Sequence, residues 1–272
     1  MIDWRDNPIM RRELLLRLRP LPSQRLTLAI VAILGLLAVG LLYWAALEGF
    51  RVRNAPREVL ILTIVLQTLM TVGIAPAATA NAVSREREQR TWDLLVVSLL
   101  KPHEVVLGKL IGRTIPVLLL LMLGLPMMLL CILSEPELLL GALLGTLCVL
   151  ATLLLYSTGG LVASCFSRKT VTATAISYLF AGGWVVGTLI LWGLTTLIFP
   201  SISTQEATFW LAVNPLAVIE PTMVKYTPAS YSSDTSPLYA LSPWALLVVY
   251  SGLTVVLLWI LVSTYRHWAY RQ

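Results

Sequence analysis

Residues able to do chemistry are sparse in this chain, and most gather in one place. From Val83 to Arg113 it reads VSREREQRTWDLLVVSLLKPHEVVLGKLIGR, the one long stretch of mixed charge between two strongly apolar runs. Its first part, SREREQR, alternates sign and sets Glu86 four residues before Arg90, the spacing of a mildly stabilising helical ion pair. Trp92, Leu95, Val96 and Leu99 then fall on one helical face. Lys101-Pro102 interrupts, because the residue before proline avoids helical angles, and Pro102 restarts a helix. A charged helical hairpin of this kind is expected to hang beneath a membrane and dock on a soluble partner.

Catalysis finds no residue set. Gly108-Lys109 lacks the upstream glycine of a phosphate-binding loop and is followed by Leu. There is no H-E-x-x-H or G-x-S-x-G. His103 stands at a helix start and His267 beside the last apolar run, where both read as interfacial groups. Cys131, Cys148 and Cys165 lie in or at the end of apolar runs and behave as small hydrophobes. Their odd number and the lack of a Cys or His pair at ligand spacing argue against a disulfide framework or a metal site. The chain is therefore expected to be no enzyme, with no catalytic residue and no metal.

Composition dictates the elements that position the charged stretch. Hydrophobic residues make up 57% and charged ones only 12%, against about 25% charged in a soluble domain, and the mean hydropathy is +0.81. The fold expected is an all-α integral membrane protein: one transmembrane domain over residues 1–272, with six transmembrane helices at roughly 20 apolar residues per crossing. The formal net charge of +6 raises nucleic acid as a partner, but the basic residues flank apolar runs, so membrane lipid is expected and nucleic acid is not.

In order, residues 1–25 carry Arg11, Arg12, Arg17 and Arg19 around a stripe of Met10, Leu14 and Leu18, with Asn7-Pro8 as a helix start. This predicts an amphipathic helix on the membrane surface. No small-residue cleavage site follows, so the element is expected to stay on the protein. Transmembrane helices are expected at 26–47, 59–82, 114–133, 138–166, 171–199 and 244–265, with a bend at Pro76 and Pro116 and Pro126 inside the third. The fourth and fifth exceed a straight crossing and must tilt, break or project. Residues 200–243 hold six of the 15 prolines, and their short apolar pieces predict re-entrant or interfacial helices broken at Asn214-Pro215 and Glu220-Pro221. The G-x-x-x-G spacings at Gly108 and Gly112, Gly141 and Gly145, and Gly183 and Gly187 read as packing within the chain.

With six crossings both termini share a side. On that side stand 16 Lys and Arg, against Arg51, Arg53, Arg57 and Lys225 on the other. The positive-inside rule then puts both termini and the 83–113 stretch in the cytoplasm. No Asp, Glu, Lys or Arg sits mid-span, which disfavours intramembrane hydrolysis and ion coupling. The polar groups left in the spans, Thr63, Gln67, Thr71, Tyr156 and Ser157, lean towards a lipid-like or amphipathic cargo.

The segment EREQRTWDLLVVSLLKPHEVVLGK resembles the corresponding region of type-2 ABC transporter permeases, whose pattern is roughly E-R-E-x-G-T-x-E-x-L-L, a gap, then P-x-E-x-x-x-G-K. Glu86, Arg87, Glu88, Thr91, Leu94, Leu95, Pro102, Glu104, Gly108 and Lys109 match. Asn214-Pro215-Leu216 is similar to the family's motif before the last span, and NPIMRRELLLRLR to its amphipathic connecting helix. Two positions depart: Arg90 stands where the pattern has Gly, which bears on the backbone shape, and Asp93 where it has Glu, which keeps the charge.

The resemblance implies the membrane subunit of an ATP-driven exporter in a bacterial inner membrane. It pairs with a second permease, identical or different, and with a cytoplasmic ABC ATPase that binds the ATP and Mg; the chain itself binds no cofactor. Arg85, Glu86, Arg87, Glu88, Arg90, Thr91 and Asp93 would carry the ATPase-coupling contacts, in a coupling helix after the second span. A non-transporting membrane anchor or scaffold for a cytoplasmic complex is the alternative.

Overall fold

The computed structural model describes residues 55–90, 102–198, 208–219, 221–222 and 243–264. The expected surface helix at 1–25 and first crossing at 26–47 lie outside them. The described residues form helices and connecting turns, with no strand among them. The α-helices are α1 (Ala55–Ala80), α2 (Ser84–Glu88), α3 (Pro102–Leu121), α4 (Leu125–Ser134), α5 (Leu139–Phe166), α6 (Thr170–Ile198) and α7 (Pro243–Ser263). Short 3-10 helices occupy Met122–Gly124, Pro136–Leu138 and Thr208–Val213.

Five segments are long and apolar enough to cross a membrane: Pro56–Glu88, Pro102–Ser134, Pro136–Phe166, Thr170–Ile198 and Pro243–Ser263. The chain is therefore a multi-pass membrane protein. Leu, Ile and Val side chains stand exposed along these segments, among them Leu133, Leu179, Leu197 and Val248, as a lipid-facing surface requires.

Helix α5 is the centre of the bundle, packed most extensively on α1 and then on α7 and α6. Of its most apolar stretch 56% is buried, against 22% for α6 and for α7. Its inward face carries Gly141, Ala142, Gly145, Cys148, Gly159, Gly160 and Ala163. Helices in lipid gain little from burying apolar area and associate through close packing, which small residues permit. At Gly160 an added Cβ would lie 2.7 Å from the Pro76 carbonyl oxygen, and at Gly159 it would lie 2.6 Å from the Phe180 ring. The Gly159-Gly160 pair thus sets how closely α1 and α6 approach α5.

The helix expected to restart at Pro102 does so, and α3 runs unbroken from there past residue 114, where the third crossing is expected to begin. Lys109 and Arg113 interrupt the apolar run in the sequence, yet both are buried. The break comes later. Pro126 has no N–H to offer the Met122 carbonyl, which takes the Leu125 N–H instead. That 3-10 step removes the usual donor from the Leu121 carbonyl, and the Gln67 side chain of α1 supplies one, Nε2 to O at 2.9 Å. Gly124 leaves room for it, since a Cβ there would lie 3.1 Å from Gln67 Cδ and closer still to Nε2.

Helices α5 and α6 are both continuous, so of the options for their excess length only tilt and projection apply. Gly183 and Gly187 have nothing within 4 Å of an added Cβ. Their expected packing within the chain is absent among the described residues, whereas Gly108, Gly112, Gly141 and Gly145 are buried.

Candidate functional site

Residues 83–90, the described first part of the charged stretch, fold at one end of the bundle, where α1 and α5 finish and α6 begins. Five residues cannot sustain a helix alone, because so short a segment barely completes one hydrogen-bonded turn. The spans complete α2. Val83 at its N-cap offers no side-chain acceptor, and Ser164 of α5 substitutes: its Oγ accepts from the Val83 and Ser84 N–H groups at 2.8 and 3.0 Å.

The next three residues each tie α2 to a different span, which consecutive side chains about 100° apart on a helix can do. Glu86 Oε1 lies 2.7 Å from Lys109 Nζ on α3, and that ammonium also donates to the Ala82 carbonyl at 3.1 Å. Arg87 Nη1 donates to the Cys165 and Ser167 carbonyls at 2.7 and 3.3 Å, placing its charge at the negative end of α5. The Glu88 carboxylate accepts from the Thr170 N–H at 2.8 Å and from the Thr170 hydroxyl at 3.1 Å, at the positive end of α6. Nearby, Arg113 donates to Asn81 Oδ1, fastening α3 to the turn between α1 and α2.

The helical pair expected between Glu86 and Arg90 requires the helix to continue, but α2 stops at Glu88 and Glu86 bridges to Lys109. Arg90 instead takes φ 55°, the left-handed region, with its N–H donating to the Arg87 carbonyl at 3.0 Å. On α2 Arg85 and Glu88 are exposed, as are Gln89 and Arg90 just beyond it and Arg168 and Lys169 in the α5–α6 turn. Thr91 and Asp93, and the surface-helix residues Arg11, Arg12, Arg17 and Arg19, lie outside the described residues. No family model matches the chain, and no curated protein matches it. The assignment of function therefore rests on these residues and their geometry.

Asn214 and Pro215 anchor a second locus, against the middle of α6. Asn214, 1% exposed, donates through Nδ2 to the Val185 carbonyl at 3.0 Å and to Thr188 Oγ1 at 2.7 Å. Its Oδ1 accepts from the Leu216 and Ala217 N–H groups at 3.0 and 3.3 Å, capping the turn that Pro215 opens. The Val213 carbonyl accepts from Trp184 Nε1 at 3.1 Å and from the Tyr250 hydroxyl at 2.9 Å. Trp184 and Tyr250 belong to a closed circuit of four rings with Tyr156 and Phe180, successive centroids 6.1 to 6.5 Å apart. These contacts hold the segment before α7 against α6 and α7, whose rings Phe180, Trp184 and Tyr250 pack in turn on Tyr156 of α5.

The polar groups read as cargo-facing do structural work or are buried. Thr63 and Thr71 donate to carbonyls of their own helix, Gln67 serves the break after α3, and Tyr156 and Ser157 are fully buried. Among the described residues no group of three or more His, Cys, Asp or Glu could hold a metal ion. Sequence reasoning passed over Ser164 and Thr170, which look like ordinary small polar residues at span ends. It also passed over Gly159-Gly160, whose adjacency inside an apolar run was a readable mark of close helix approach.

Proposed function

We propose that this chain is the membrane-spanning permease subunit of an ATP-driven ABC exporter, coupling ATP hydrolysis on a separate cytoplasmic ATPase to movement of a cargo across the membrane. In this reading it has six spans, both termini are cytoplasmic, α2 belongs to the coupling helix, and the 208–222 locus is the re-entrant region on the far side. It works with a second permease subunit and carries no ATPase site of its own.

The observation that carries the reading is the Glu86–Lys109 ion pair. It joins in space the two halves of the sequence pattern, E-R-E and G-K, which the chain separates by a loop. The left-handed backbone at Arg90, where the pattern has Gly, gives further support, because glycine is the residue that adopts that conformation without strain. A displaced α2 would move the ends of α1, α3, α5 and α6 together, since it is tied to each. Such ties are what transmission of a docking event into the membrane requires.

The test is isolation of the tagged chain from its own membranes in mild detergent, followed by assay of ATP hydrolysis and identification of retained proteins. An ABC-type ATPase retained in fixed ratio is expected; a preparation that retains none overturns the proposal. Hydrolysis that rises when lipid-like or amphipathic candidates are added to the reconstituted complex separates an exporter from a passive scaffold.

A further inference from the structure

Residues 84–90 alternate in sign, three Arg against two Glu, but these side chains are not equally available to a partner. Glu86 is turned inward to Lys109, and Glu88 is committed to the first turn of α6. Arg87 is spent on carbonyls at the end of α5. Exposed on α2 and just after it are Arg85, Glu88, Gln89 and Arg90, beside the exposed Arg168 and Lys169. Only Glu86 is turned away from solvent; Glu88 stays exposed but hydrogen-bonded to Thr170, so the described surface sets four basic side chains, Arg85, Arg90, Arg168 and Lys169, against one acidic one and is cationic.

We infer that this face docks on an acidic surface of the partner ATPase, and that Arg85, Arg90 and Lys169, not the Glu86-Arg87-Glu88 triplet, make the intermolecular contacts. The inference rests on the permease reading and adds the residues and the charge of the partner. Like-charge juxtaposition costs several kcal/mol while complementary charge steers docking and fixes its register, so a basic or neutral partner surface does not fit.

Depth favours a protein over lipid headgroups. Helix α5 has 28 residues, about 42 Å at 1.5 Å per residue, and it starts among the lipid-exposed Leu139 and Leu140. The hydrocarbon core is about 30 Å thick. Its far end then projects roughly 10 Å further, through most of the headgroup layer. The start of α6 is rich in Thr (Thr170, Thr172 and Thr174), as expected of a helix end outside the hydrocarbon.

The experiment compares the wild-type chain with the triple variant Arg85→Glu, Arg90→Glu, Lys169→Glu, each purified from its own membranes and also reconstituted into phosphatidylglycerol–phosphatidylcholine vesicles. Unchanged thermal melting of the variant establishes that it folds. A second variant, Arg85→Gln, Lys169→Gln, serves if the first does not. The expected result is loss of ATPase retention by about tenfold or more in the variant, with wild-type retention falling as salt is raised. Equal retention by both chains overturns the inference and leaves the permease reading standing. Loss of bound phosphatidylglycerol with ATPase retention intact assigns the face to headgroups and overturns it too. A wild-type chain that retains no ATPase removes both proposals.

Discussion

Glu86 and Lys109 meet at 2.7 Å beneath the bundle, and Lys109 is 1% exposed although it carries a full charge. The ammonium is tolerated because it also finds the Ala82 carbonyl. Its stability depends on both partners at once.

Removing one partner strands a buried charge, which costs about 3–5 kcal/mol. Lys109→Met is therefore expected to lower the melting temperature sharply in detergent micelles, and Glu86→Leu likewise. The double variant Glu86→Leu, Lys109→Met should recover most of the loss, because replacing a buried pair by apolar groups is often neutral. Additive losses in that double-mutant cycle would show that the pair is not coupled.

Arg90 adopts φ 55°, a region that costs a residue with a Cβ about 1 kcal/mol or more. Arg90→Gly removes that strain but gives the unfolded chain more freedom, which offsets part of the gain. A net stabilisation of roughly 0.5 kcal/mol is expected, read as a small rise in melting temperature. Arg90→Val, β-branched and less tolerant of positive φ, should fall below the wild type. The opposite ranking of the two variants would mean that the left-handed turn is not populated.

How far the sequence discloses this depended on the kind of feature. Apolar runs gave the spans at 59–82, 138–166, 171–199 and 244–265 to within a few residues of α1, α5, α6 and α7, because length and hydropathy are local properties. The helix start at Pro102 was legible, but the burial of Lys109 and Arg113 was not: they look like solvated charges until Glu86 and Asn81 are brought to them by the fold. The sequence marked Glu86, Arg87 and Glu88 as one charged run, but which way each side chain turns depends on where α5 ends and α6 begins. Pro126 was legible only as a proline inside the third span; that the helix breaks before it, with the consequence falling on Gln67 some 60 residues earlier, was not.

Gln67 and Gly124 make that break testable. Gln67→Leu withdraws the donor from the Leu121 carbonyl, and an interhelical hydrogen bond in a membrane averages only about 0.6 kcal/mol. Gly124→Ala forces a methyl into the Gln67 amide, an overpacking cost of about 1–3 kcal/mol. The alanine variant is thus expected to be the more damaging. The double variant Gln67→Leu, Gly124→Ala should be milder than the sum, since the amide that clashes is gone. Labelling of the buried Cys131 thiol on α4 by N-ethylmaleimide provides the readout, rising first in Gly124→Ala; equal protection in all three variants would refute the clasp.

The glycines of the bundle divide into two classes that a single substitution separates. A Cβ at Gly160 meets the Pro76 carbonyl oxygen at 2.7 Å, and this is backbone, which cannot rotate away as a side-chain tip could. Helices α1 and α5 would have to part, and small-residue contacts are what holds such helices together in lipid. Gly160→Ala is expected to destabilise by about 2 kcal/mol or more. At Gly183 and Gly187 nothing lies within 4 Å, so alanine there meets no atom of the described chain and gains the better helix propensity, up to about 1 kcal/mol. The isolated chain in micelles should therefore lose stability with Gly160→Ala and keep or gain it with Gly183→Ala. If Gly183→Ala proves as harmful as Gly160→Ala in dilute micelles, α6 is packed against something other than detergent on that face, and size measured alongside the melt will distinguish a second copy from the remainder of the same chain.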